Sequence, residues 1–111
     1  MARPVEEEPE VEVFGWGVVQ ESGHYRLVGY RVDDRRGRIT SPLIEVDMAA
    51  RTVVTQSGRV YRLRGDPDPK AAARLVHAHM RRWGLTVEDV ALADIDEVVL
   101  AFAPRPPGRW N

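Results

Sequence analysis

The sequence predicts an α+β fold: an antiparallel meander of about five strands, one long amphipathic helix packed on it, and a short C-terminal helix or strand. Three observations support this. Residues 10–64 are rich in β-branched and aromatic residues and are punctuated by short glycine-bearing turns. After Gly65 the hydrophobic period changes from two to that of a helix. At 111 residues with 43% hydrophobic residues, the chain can bury a core without staples.

The elements follow in order. Residues 1–9 are acidic and proline-bearing, and are expected to form an N-terminal tail to a single domain over 10–102. Val11 to Gln20 reads as a strand interrupted by Gly15 and Gly17, which point to a bulge or a close backbone approach. After the turn at Glu21-Ser22-Gly23, His24–Val32 alternates, with Tyr25 and Leu27 on one face and Arg26, Val28 and Tyr30 on the other. Asp33–Arg38 is a charged loop, and Ile39–Asp47 a third strand in which Pro42 favours an edge or a bulge. Thr52–Gln56 and Arg59–Arg64 are strands joined by a two-residue turn, Ser57-Gly58. Strands linked by such short loops pair antiparallel.

Asp66-Pro67-Asp68-Pro69 carries the aspartate cap and first-turn proline of a helix start. Ala72, Leu75, Val76, Met80 and Trp83 then repeat at helical spacing, and Gly84 stands where the helix should end. Val87–Leu92 fits a short helix or a strand. Asp94–Phe102 favours a short helix, because its acids complement the dipole of a first turn. Residues 103–111 hold three of the eight prolines and are expected to form a proline- and arginine-rich tail.

Several chemistries are discounted. The chain has no cysteine, so disulfides, thiolate zinc sites and thiol catalysis are excluded. An acidic run stands where a signal peptide would be apolar, and no apolar run reaches membrane-spanning length. The expected setting is the cytoplasm, with no membrane contact. Gly15-Trp16-Gly17 lacks the rest of a dinucleotide loop, and no serine sits in a nucleophile elbow. His77 and His79 would point about 200° apart on a helix, so they cannot share an ion there. No metal, cofactor or catalytic residue is assigned. The one catalytic pairing the residues offer is Glu45 or Asp47, which alternate with Leu43, acting with a histidine.

Charge distribution says more. The total is −1, but residues 1–21 hold one basic and six acidic groups, residues 22–82 thirteen and six, and residues 83–111 two and five. The middle is strongly basic and both ends are acidic. On the predicted helix Lys70, Arg74, His77 and Arg81 share one face, opposite Leu75 and Val76. Arg35, Arg36 and Arg38 in the loop, Arg62 and Arg64 on the fifth strand, and Trp110 in the tail complete the candidate contact residues. Arginine forks suit carboxylates and phosphates alike. The preferred expectation is a non-catalytic accessory, inhibitor or adaptor protein of bacterial or phage type that binds an acidic protein or larger complex. The alternatives are a nucleic-acid-binding module using the same arginines, and a small enzyme using the strand carboxylate and histidine. Self-association into a homo-oligomer is compatible with either binding role.

Overall fold

A computed structural model describes residues 5–83 and 90–103. Five strands follow one another as neighbours: β1 (Glu10–Glu21), β2 (His24–Arg31), β3 (Gly37–Asp47), β4 (Thr52–Thr55) and β5 (Val60–Leu63). Each consecutive pair is antiparallel, as the short loops require. Four reversals leave β5 running in the direction of β1. The two strands pair in parallel, from Glu10 beside Val60 to Val13 beside Leu63. The expected meander therefore closes on itself, since β1 also pairs with β2. A sixth strand, β6 (Val90–Ala93), adds antiparallel to Val18–Glu21 of β1. The helix α1 (Pro69–Trp83) has the predicted start, and α2 (Ile95–Phe102) resolves the C-terminal element as a helix.

β1 has 12 residues and lies between two strand partners at Val13 and again from Val18 to Glu21. Its first half turns Val11 and Val13 inward. The register then slips between Phe14 and Gly17, and from there Trp16 and Val18 point inward instead. This is the bulge that the glycines foretold. Gly15 sits at a φ of 55°, a conformation that L side chains rarely adopt. Gly17 lies under the helix, where an added Cβ would stand 2.8 Å from the Ala72 Cβ. Pro42 likewise lies among irregularities in β3, between Arg26/Val28 on one side and Leu43/Glu45 on the other.

The alternation on either side of β1 builds two apolar layers. Inside the closed strands are Val11, Val13, Trp16, Val18, Leu27, Leu43, Val53, Tyr61 and Leu63, with Val98 of α2 fully buried among them. Tyr25 secures α2 by packing edge-on against Phe102 and donating a 3.0 Å hydrogen bond to Glu97. Outside, Val19 and Val28 meet Ala72, Val76 and Met80 of α1.

At the far end of β2 stands a charged cluster that the sequence did not announce. Arg31, buried in the fold, donates to both carboxylate oxygens of Glu8 and to both of Asp33. Arg59, also buried, donates through Nε to the Glu8 carbonyl at 2.9 Å, and Val60 N–H donates to the Pro9 carbonyl. Glu8 and Pro9, which the sequence places in the acidic tail, are thus fastened to the sheet. Hydrogen bonds from Arg31 hold the Asp33 carboxyl at about 2, well below its ordinary value.

Two outcomes follow. Gly17→Val should destabilise the fold by about 1–3 kcal/mol through overpacking against Ala72. Ala72→Gly in the same chain should recover part of that loss in urea unfolding. Asp33 has a depressed folded pKa, so its contribution is present above about pH 4 and lost as the pH falls toward 2. Arg31→Met should flatten that part of an acid unfolding curve, measured by circular dichroism against the parent chain.

Candidate functional site

The start of α1 is fixed by its own sequence. The Asp68 side chain accepts from Ala71 N–H at 3.0 Å, and the Asp68 carbonyl accepts from Ala72 N–H. Asp68 N–H in turn donates to the Trp16 carbonyl at 2.8 Å, tying the cap to β1. Ala71, Ala72, Val76 and Met80 bury one side of the helix. Arg81 and Arg82 occupy the last turn, where positive charge complements the helix dipole.

The opposite side is basic. Lys70, Arg74, His77 and Arg81 are all exposed, on a stripe about 16 Å long by the rise of a helix. The helix contains no acid. None of these four side chains forms an ion pair with a described residue, whereas Arg26, Arg31, Arg51, Arg62 and Arg64 all do. Arg35 and Arg36 are exposed in the β2–β3 loop. The next residue, Gly37, lies so close to Leu75 that a Cβ there would clash with its Cδ1. The loop therefore abuts the middle of α1 on its Leu75 side.

Three of the predicted contact residues are otherwise engaged. Arg62 pairs with Glu10 and Arg64 with Glu12, the latter at 2.9 Å. The parallel pairing of β1 with β5 sets these acids beside those arginines, which no local sequence signal reveals. Such exposed pairs contribute about 0–1 kcal/mol each, but they cancel the charge. Arg38 is half-buried and donates to the Tyr61 hydroxyl at 3.3 Å. The paired β5 arginines are also set apart from the β2–β3 loop, because β1 runs between β2 and β5. Trp110, with the tail from residue 104 onward, lies outside the described residues, as do Gly84 and residues 85–89. Tyr30 lies 5.7 Å from the Phe14 ring and donates to the Ala71 carbonyl.

The carboxylate and histidine candidates separate. The bulge between Leu43 and Glu45 reverses the alternation of β3, so Glu45 and Asp47 do not share the face of Leu43. Both are exposed, and Asp47 accepts from Ala50 N–H to hold the following turn. His24 stands exposed at the β1–β2 turn and His77 on the outside of α1. Among the described residues no three potential ligands gather in a metal-binding group.

His79 is half-buried and lines a cleft of about 250 Å³ between α1 and the sheet. Val19, Ile39, Val76, Met80 and Val90 form its apolar walls, and Glu21, Arg26 and Thr40 its polar end. Arg26 Nε stands 3.0 Å from Glu21 Oε1, and Arg26 Nη1 donates to the Thr40 carbonyl at 3.1 Å. Burial pushes the His79 imidazole below its ordinary pKa, and Arg82 adds to this, against a smaller opposing pull from Glu21. No local sequence signal reveals the cleft, because its lining comes from five elements, β1, β2, β3, α1 and β6.

No family model, curated protein or solved structure matches this chain. Among the described residues no helix is long and apolar enough to cross a membrane.

The cap carries a direct expectation. Asp68→Ala should cost about 1 kcal/mol, as loss of a helix cap does. Amide exchange should accelerate at Ala71 and Ala72 ahead of the sheet. Unchanged protection there would show that packing alone holds the helix start.

Proposed function

We propose that this protein is a non-catalytic accessory protein, an adaptor or inhibitor, that docks through the exposed basic side of α1 on an acidic region of a larger protein partner. The supporting observation is the allocation of charge. Arg26, Arg31, Arg51, Arg62 and Arg64 meet the chain's own acids, while Lys70, Arg74, His77 and Arg81 meet none among the described residues. These four cations lie on one rigid helix seated on the sheet, a platform that fixes their spacing. Complementary charge of this kind raises association rates and sets specificity. Arg62, Arg64 and Arg38 are left out of this docking surface because their partners are already within the fold. A cysteine-free chain suits a reducing cytoplasm, where we place this activity.

The experiment is affinity capture from the native host with identification by mass spectrometry. The recovered protein should present an acidic surface, with binding weakening as salt rises. Arg74→Glu with Arg81→Glu should lower its affinity by about tenfold or more, while circular dichroism stays unchanged. Arg62→Glu should have far less effect on capture. Equal capture by the doubly reversed chain would overturn the proposal. Tight binding of duplex or single-stranded nucleic acid at about 50 mM salt, lost steeply as salt rises, would assign the same face to phosphate instead.

A further inference from the structure

The cleft behind α1 is independent of the docking surface, since the basic stripe points away from it. A packed interior leaves few voids larger than a water molecule. A dry aliphatic cavity of roughly 150 Å³ is already enough to hold a benzene ring. This cleft is larger, at about 250 Å³, and its apolar side chains come from β1, β3, α1 and β6.

The polar end restricts what could enter. The Arg26 Nε–H is buried and 3.0 Å from Glu21 Oε1, yet off the axis a hydrogen bond needs, so this donor has no aligned acceptor. The charges themselves already balance, guanidinium against carboxylate. An anionic head group would face Glu21, and a cationic one would face Arg26. Burial shifts the His79 imidazole toward its neutral form.

We infer that this cleft binds a small uncharged amphipathic molecule, with an apolar body of one or two rings against Val19, Ile39, Val76, Met80 and Val90 and a single hydrogen-bonding group at the Arg26–Glu21 end. Sites for small ligands are commonly built this way, from apolar walls and a few placed polar groups. The ligand lies between helix and sheet, so it would bridge α1 to β1, β3 and β6.

The probe is 1-naphthol, titrated into the isotope-labelled full chain and followed by methyl NMR. Saturable shifts should appear at the methyls of Val19, Ile39, Val76, Met80 and Val90. The anionic analogue 1-naphthoate should bind about tenfold more weakly or worse. Val90→Phe, on the short edge strand, should fill the cleft and abolish the shifts. Ile39→Phe serves the same purpose should the first variant fail to fold. The absence of saturable shifts in the parent chain overturns the inference. So does equal binding of 1-naphthoate, or binding that survives in a folded filled variant. None of these outcomes bears on capture of an acidic partner through Arg74 and Arg81.

Discussion

The bulge at Phe14–Gly17 is the constraint on which the rest of the molecule depends. A strand presents alternate residues to opposite faces. Without a slip, a strand that begins with Val11 and Val13 inward would turn Trp16 and Val18 outward. The bulge moves both into the interior and turns Gly17 and Val19 toward α1. One strand then serves two apolar layers and three strand partners, β2, β5 and β6. The helix can sit close because Gly17 offers no side chain where Ala72 arrives. The chain bends where steric demand is lowest, and the helix occupies the space left by the missing Cβ.

Closure of the sheet also decides the electrostatics. When β5 pairs with β1, Glu10 and Glu12 come beside Arg62 and Arg64, and Glu8 reaches Arg31 and Arg59. The acidic beginning of the sequence is therefore largely consumed by arginines of β2 and β5. What remains positive is the outer side of α1 and the tip of the β2–β3 loop. The near-neutral total charge conceals this, because cancellation happens at one place and the surplus sits at another. A docking role for α1 and a ligand-binding role for the cleft behind it use opposite sides of the same helix, and both rely on its anchorage through Asp68 and Trp16.

The parts of the fold legible in the sequence were those with local physical causes. The position of the turn between β4 and β5, the Asp68 cap and the apolar stripe of α1 all follow from neighbours within a few residues, although the turn holds three residues, Gln56, Ser57 and Gly58, rather than the two expected. The exposure of Lys70, Arg74, His77 and Arg81 was legible for the same reason, as helical geometry fixes which side chains oppose Val76. Glu45 and Asp47 went astray because a single extra residue at the β3 bulge inverts every later position of the strand. Arg38 was misplaced because its partner, the Tyr61 hydroxyl, is 23 residues away.

The sequence by itself determined the class of the fold, the order of its elements and the amphipathic character of α1, since hydrophobic period and capping chemistry are properties of short segments. Only the tertiary structure decided that the meander closes, that β1 and β5 run parallel, and which arginines are left without an acidic partner. Pairing between strands some 50 positions apart leaves no trace in either segment alone. An ion pair depends on where two side chains meet, and that is settled when the sheet closes.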